Sequence, residues 1–257
     1  MNPHQEEYLN TDAEAAIDGL QANPYPGRGI VLGQNRRGLL VQVYWIMGRS
    51  SNSRNRIFRQ EGADVATSAA DPSLLTDPSL IIYHPVRVRG RVHIVSNGDQ
   101  SDTILHALQA NSGATLPSAA AFQSALETRT YEPDPPNLTP RISGLMDLDD
   151  AHCAYRLAIL KSNRQIEGLS QRVFFNYEQA FSGFGHCITT YQGDGNPLPT
   201  FAGEPFVVPL QDDINLALDF WWNLLNPDNR ISLLVKFINP SNGKADLKLI
   251  NKYPAKG

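Results

Sequence analysis

The chain has 257 residues, 41% hydrophobic and 19% charged, so a sizeable core is available and a disordered chain is excluded. The formal net charge of -4 and a pI near 5.8 argue against bulk nucleic-acid binding, which rests on a strong basic excess. Two cysteines, Cys153 and Cys187, are too few for a secreted disulfide scaffold and read as reduced, buried thiols.

The opening MNPHQEEYLN has neither the basic nor the apolar region of a signal peptide. The longest apolar stretch, Ile214 to Leu225, is broken by Asn215, Asp219 and Asn223 and falls short of the ~20 residues that span a bilayer. A soluble cytoplasmic protein is expected, with no membrane or nucleic-acid partner.

In chain order, Thr11-Asp12-Ala13-Glu14 forms a capping-box pattern that opens a short helix ending before Asn23-Pro24. Gly29 to Ile46 reads as two strands about the polar turn QNRRG, and Ile81 to Ser96 as a second pair bent at Gly90. Helices are expected at Ser101 to Ala110 and Pro117 to Arg129, and strands at Tyr155 to Lys161 and Arg172 to Tyr177. Asp212 to Leu225 is the clearest helix, with acids at its positive end and Asn226-Pro227 stopping it. Strands at Ile231 to Phe237 and Leu247 to Tyr253 close the chain. The stretches at 69–79 and 193–205 read as loops, not tethers. Antiparallel strand pairs with helices between them give an α+β class in one layered domain over 1–257.

Several segments carry chemistry. MGRSSNSRNRIFR, Met47 to Arg59, can present the guanidinium forks of Arg49, Arg54, Arg56 and Arg59 to phosphate oxygens; a solvated basic loop is the plain alternative. NPYPGRG is a rigid turn that could aim Arg28. VSNGDQSD delivers Asn97, Asp99 and Asp102 at a strand end, where Asp99 or Ser101 could equally cap a helix. YEPDPPNLTPRISG, Tyr131 to Gly144, admits no periodic element and fixes acids, an arginine and a tyrosine in a stiff segment. GFGHCITTYQGDG lacks the Walker lysine and the dinucleotide spacing, and reads as a ligand-approaching loop or a hairpin. The pairs His152-Cys153 and His186-Cys187 match no structural zinc spacing, so no metal is expected. There is no GxSxG elbow, and removal of Met1 would expose Asn2 rather than a nucleophile.

Taken in order, YPGRG, GRSSNSRNR, VSNGDQSD, YEPDPPNLTPRISG and GFGHCITTYQGDG resemble successive motifs of the archaeal-type IMP cyclohydrolases. The resemblance implies a four-layer αββα fold like that of N-terminal-nucleophile hydrolases, without their nucleophile. It implies closure of 5-formamidoimidazole-4-carboxamide ribonucleotide to IMP with loss of water, without metal or organic cofactor. The purine ribonucleotide is the implied partner; oligomeric state is left open, a homo-oligomer included.

On this resemblance Glu132 is the candidate general base or proton relay and Tyr83 the acid or oxyanion donor. Arg28 polarises the formyl group or grips the ligand. Arg49, Arg54 and Asn55 lie on the phosphate side, and Asn97 and Asp99 contact ribose or base. Arg141 meets the carboxamide, the formyl oxygen or the phosphate. The plain alternatives are a surface ion pair for Glu132 with Arg129 or Arg141, and simple packing for Tyr83. Rival functions are a related amide-forming or amide-hydrolysing enzyme, a purine-nucleotide binding module without catalysis, and an α+β domain whose arginine loop is only solvated. Leu138 separates Asn137 from Thr139-Pro140-Arg141 and departs from the family pattern, as does GHC at Gly185 to Cys187.

Overall fold

A computed structural model describes the chain apart from residues 1, 2, 76, 77, 79, 80, 111–116, 164, 167, 256 and 257, so part of the expected loop at 69–79 lies outside the described residues. Helix α1 (Pro3–Ala22) starts well before the Thr11 box expected to open it. Thr11 is mid-helix, and its hydroxyl donates to the Glu7 carbonyl at 3.0 Å instead of capping. Ala13, Ala16, Ile17 and Leu20 recur at helical spacing and supply the face that packs.

Strands β1 (Gly29–Gln34) and β2 (Leu40–Met47) form the expected hairpin. Asn35 turns it, its Oδ1 accepting from the Arg37 and Leu39 amides at 3.1 and 3.0 Å. Every residue of β2 is buried because strands flank both its edges and layers cover both its faces. Then come a single-turn helix α2 (Ser51–Arg54) and a hairpin of β3 (Ile57–Glu61) and β4 (Asp64–Ser68). Strand β3 forms a sheet edge, and its exposed Arg59, Gln60 and Glu61 disguise it as loop in the sequence.

Strands β5 (Val86–Arg89) and β6 (Val92–Ser96) turn at Gly90, whose φ is +58°. The pair begins later than Ile81 because Pro85 has no N–H to place in a ladder. Helices α3 (Gln100–Ala110) and α4 (Ser118–Glu127) follow, then β7 (Arg141–Asp147), β8 (Tyr155–Ser162) and β9 (Ser170–Tyr177). The irregular stretch that starts at Tyr131 therefore ends at Pro140, and Arg141 opens a buried strand. Strand β10 (Phe184–Thr189) occupies the glycine-rich GFGHCIT segment, and β11 (Phe206–Pro209) pairs with it. Gly185 is opposite Gly33 of β1, and a Cβ there would stand 2.8 Å from the Leu32 carbonyl oxygen. Asp213 caps α5 (Ile214–Leu224), accepting from the Asn215 and Leu216 amides at 2.8 and 3.0 Å. Strands β12 (Arg230–Ile238) and β13 (Ala245–Asn251) complete the order.

The strands make two antiparallel sheets, ordered β11-β10-β1-β2-β12-β13 and β3-β4-β5-β6-β7-β8-β9. Ile30, Tyr44 and Leu234 of the first meet Val95, Ile142 and Leu157 of the second in a core between them. On the outer face of the first sheet Val43, Trp45 and Val235 pack against Leu20 of α1 and Trp221 of α5. On the outer face of the second, Ile94, Leu145 and Leu160 pack against Ile104 of α3 and Phe122 of α4. The order of layers is helix, sheet, sheet, helix, and the class is α+β. Cys153 and Cys187 are buried and unbridged. No described helix is long and apolar enough to cross a membrane.

Candidate active site

One end of the space between the sheets gathers the start of β1, the end of β2, the approach to β3 and β5, and the loop that enters β7. Arg28 immediately precedes β1. Its amide donates to the Thr190 hydroxyl at 3.1 Å, and its carbonyl accepts from the Thr190 amide at 2.9 Å. Gly27 makes that approach possible: its φ is +75°, and a Cβ there would lie 2.1 Å from Thr190 Oγ1. The Arg28 side chain is thereby held at the sheet end, with the residue only 7% exposed.

The Ser/Asn-rich segment after β2 folds back through α2. Ser50 Oγ accepts from the Ser53 amide at 3.2 Å and Ser53 Oγ from the Ser50 amide at 3.0 Å, a reciprocal cap. This turn sends neighbouring arginines in different directions. Arg49 reaches into the cavity mouth, ion-paired with Asp194 and with its guanidinium 4.9 Å from the Tyr25 ring centre. Arg56, 3% exposed, lines the cavity, and its Nε and Nη1 have no hydrogen-bond partner among the described residues. The same is true of Arg28 Nε. Arg54 instead donates to Asn229 Oδ1 at 3.2 Å and to the Arg49 carbonyl at 3.3 Å. Asn55 exchanges hydrogen bonds with the Asp71 backbone at 2.9 and 2.7 Å. Arg54 and Asn55 lie on a neighbouring, mostly apolar pocket rather than on this cavity.

The stiff loop gets its shape from hydrogen bonds as well as prolines. Asp134 Oδ1 accepts from the Thr139 amide at 2.6 Å, and the Asp134 carbonyl accepts from the Asn137 and Leu138 amides at 3.1 and 3.3 Å. Leu138 takes a positive φ of 47° to close this turn, and Asn137 then accepts from the Leu198 amide at 3.1 Å. The Glu132 amide donates to the Thr139 carbonyl at 2.9 Å, which turns a carboxylate only 4% exposed into the cavity. Opposite, Tyr191 Oη meets Thr139 Oγ1 at 2.5 Å. The cavity holds about 300 Å³.

Tyr83, in the segment before β5, does not itself line the cavity, nor does Tyr44, but Tyr83 feels the charges of Arg56, Arg28 and Glu132. Its backbone carbonyl accepts from the Thr67 amide at 2.8 Å, and its phenol lies 2.8 Å from that of Tyr44 on β2. Burial raises the pKa of both phenols, with Arg56 and Arg28 working against the rise at Tyr83, so both stay protonated at neutral pH. Burial raises the Glu132 pKa above its ordinary 4.5, while Arg28, Arg141 and Arg56 oppose the rise. Burial works against charge on Arg28, but the Glu132 carboxylate and the surrounding tyrosines hold its pKa up. Burial, and then repulsion from Arg28, lower that of Arg56. The arrangement can hold an anion, donate from a phenol and exchange a proton at a carboxylate.

Asn97, Asp99 and Arg141 form a layer beside Glu132. Asn97 Oδ1 accepts from the Ile142 amide at 2.8 Å and its Nδ2 donates to the Pro140 carbonyl at 2.8 Å. Arg141 Nη1 donates to Asp99 Oδ1 at 2.9 Å and Gln100 Oε1 at 2.8 Å. Burial works the other way, but hydrogen bonding by Arg129 and the charge of Arg141 hold the Asp99 pKa below its ordinary value. These three residues do not line the cavity; Arg141 acts on Glu132 through its charge. Tyr44, Thr139 and Tyr191 were not singled out as site residues from the sequence, and Arg56 was named only with the other arginines of its segment. Arg56 stood in the arginine segment, but nothing local separated it from Arg54. The hydroxyl of Tyr44 is hidden inside the apolar run LVQVYWIM.

Among the described residues no group of three or more His, Cys, Asp and Glu side chains could hold a metal ion. His186 Nδ1 lies 2.7 Å from Tyr155 Oη, and Cys153 Sγ donates to the Tyr155 and Tyr177 carbonyls at 3.2 and 3.3 Å.

The IMP cyclohydrolase-like protein family matches residues 25–244, which include all the elements that build the cavity. An IMP cyclohydrolase of Methanococcus aeolicus is 27% identical over 131 residues, covering 51% of this chain and 62% of that protein. The chain thus matches less than two thirds of that relative's length. The family match spans most of the chain, and the chain belongs to the IMP cyclohydrolase-like family.

Proposed function

We propose that the protein is an IMP cyclohydrolase, closing 5-formamidoimidazole-4-carboxamide ribonucleotide to IMP in the cytoplasm as one step of purine synthesis. The observation that carries this reading is the buried Glu132 carboxylate set against Arg28 and Arg56, beside the Tyr44–Tyr83 phenol pair. The layer order supports an αββα arrangement of the N-terminal-nucleophile hydrolase type, within one domain. The purine ribonucleotide is the partner, with no nucleic acid or membrane involved.

In the reaction the carboxamide nitrogen bonds to the formyl carbon on the same ring. The substrate supplies most of the proximity, so the protein's task is proton transfer and charge. The formyl oxygen leaves as water with two protons, one from the carboxamide nitrogen and one from the formamide nitrogen. Ionised Glu132 accepts the proton from the attacking nitrogen, made easier by a pKa that burial raises above its ordinary 4.5. Protonated Tyr83, hydrogen-bonded to Tyr44, donates toward the formyl oxygen as it gains charge. Arg28 and Arg56 offer free N–H groups to developing and permanent anions, and Arg49 holds the phosphate at the mouth.

The test is the absorbance change when purified protein meets the formamido nucleotide in the presence of EDTA. Enzyme-dependent IMP formation is expected. Absence of turnover with a clear thermal shift by IMP would replace this reading with that of a nucleotide-binding protein, and absence of both would overturn nucleotide recognition.

A further inference from the structure

The opposite end of the space between the sheets holds a second polar cavity that the proposed reaction does not use. Its volume is about 240 Å³, and its mouth lies between the β3–β4 turn at Gly62 and the β12–β13 turn at Gly243. Lys236 on β12 and His93 on β6 line it from facing sheets. Lys236 is 2% exposed and His93 1%, next to a core of aliphatic and aromatic side chains. Lys236 Nζ and both ring nitrogens of His93 have no hydrogen-bond partner among the described residues. Gln42 is the cross-strand neighbour of Lys236; it is fully buried, and its side-chain oxygen and nitrogen are likewise unpartnered.

Such a set is costly in a core. A buried amide or imidazole without a partner loses the hydration that water would give it, and an unpaired ammonium loses more. Three of these polar atoms, on Lys236 and His93, belong to side chains that line the cavity, Gln42 stands next to Lys236 outside its lining, and ordinary packing needs none of them. The charges around the cavity indicate what fits. The charge of Asp64 acts on Lys236, but that carboxylate already accepts from Arg87 at 2.9 Å and from the Val88 amide at 2.8 Å. Arg91 adds positive potential at His93 and is itself paired with Asp149. Burial, and then the charges of Lys236 and Arg91, push the His93 pKa down to about 3, so the ring is neutral and offers one N–H and one acceptor. Lys236, lowered by burial to about 8, still carries its charge at neutral pH. The uncompensated charge is therefore positive, and the donors outnumber the acceptors.

We propose that this cavity is a binding site for a small oxyanion, phosphate or carboxylate, held by the Lys236 ammonium with His93 as a neutral partner. A tetrahedral anion and accompanying water fit within the cavity, given that a water occupies about 30 Å³. Gln42, beside Lys236, stands two residues from Tyr44 on the same face of β2, so the strand next to this site also carries the phenol that meets Tyr83.

The test follows the His93 ring signals by NMR while inorganic phosphate or, separately, acetate is added to the whole protein. A saturable shift is expected with at least one anion, and the stronger response identifies the oxyanion class. Lys236→Met should abolish it, and Arg49→Ala, which alters the other cavity, should leave it in place. Because Lys236→Met removes a buried unpaired charge, the variant is expected to fold. Overturning results are His93 signals that stay fixed up to tens of millimolar of either anion, or a shift equally strong in Lys236→Met. A shift abolished by Arg49→Ala but kept in Lys236→Met would also overturn the proposal, since it would assign the effect to the nucleotide cavity. This readout does not depend on turnover, so it stands or falls separately from the cyclohydrolase reading.

Discussion

Arg54 and Arg56 are two residues apart and share a side chain, yet they end in different surroundings. Arg54 is tied to Asn229, while Arg56 is buried in the cavity with free N–H groups. Arg56→Ala is accordingly expected to raise KM by roughly 10-fold or more, and Arg54→Ala by less than about 2-fold; the reverse order in steady-state kinetics would move the phosphate to the other pocket. Tyr83→Phe should lower kcat by roughly 100-fold with KM little changed, because a phenol donor matters most as the formyl oxygen gains charge. The pH profile offers an independent check on Glu132. Its pKa is raised by burial, so the base becomes protonated as pH falls through a value above the ordinary 4.5, and the acid limb of kcat/KM should lie there. An acid limb at or below that value would assign the base elsewhere.

Elements place these residues, and each was legible in the sequence to a different degree. The α5 helix declares itself through its Asp cap and its apolar run. The β1–β2 hairpin does so through QNRRG between apolar segments. Strand β7 was hidden because Arg141 is charged and Gly144 packs by lacking a side chain, a Cβ there falling 2.8 Å from Leu32 Cδ1. Strand β3 was hidden by an edge strand's polar surface. Site membership was harder still: Glu132 could be singled out, but Arg56 and Tyr44 become site residues only when the sheets stack. At this scale Trp221 of α5 stacks on Trp45 of β2, ring centres 5.7 Å apart, and both are fully buried. Trp221→Ala should cost about 3–5 kcal/mol in denaturant unfolding, whereas a loss under 1 kcal/mol would mean that this helix–sheet contact contributes little. Strand β12 carries the opposite kind of residue. Lys236 has a folded pKa near 8 against 10.5 in the open chain, so between these values the unfolded state binds the extra proton. In anion-free buffer, stability relative to Lys236→Met should therefore rise with pH from about 8 toward 10.5 and be lowest below it. A pH-independent difference between the two proteins would contradict a buried ammonium.

The whole molecule places polar chemistry at both ends of an otherwise apolar space between two sheets, and the outer helices close the remaining faces. Such a frame tolerates buried charge at the cavity around Glu132 because the three cores supply the stability. Ligand binding should feed back on the fold: IMP at 100 times its Kd should add about 2.7 kcal/mol to the unfolding free energy. The most direct test of the central claim separates binding from chemistry in Glu132→Gln. The variant and the parent are each mixed with the formamido nucleotide, with IMP formation followed by absorbance and binding by thermal shift. The account predicts that the variant binds as the parent does but closes the ring roughly 100-fold more slowly or worse. Ring closure at near-parent rate in Glu132→Gln would contradict it.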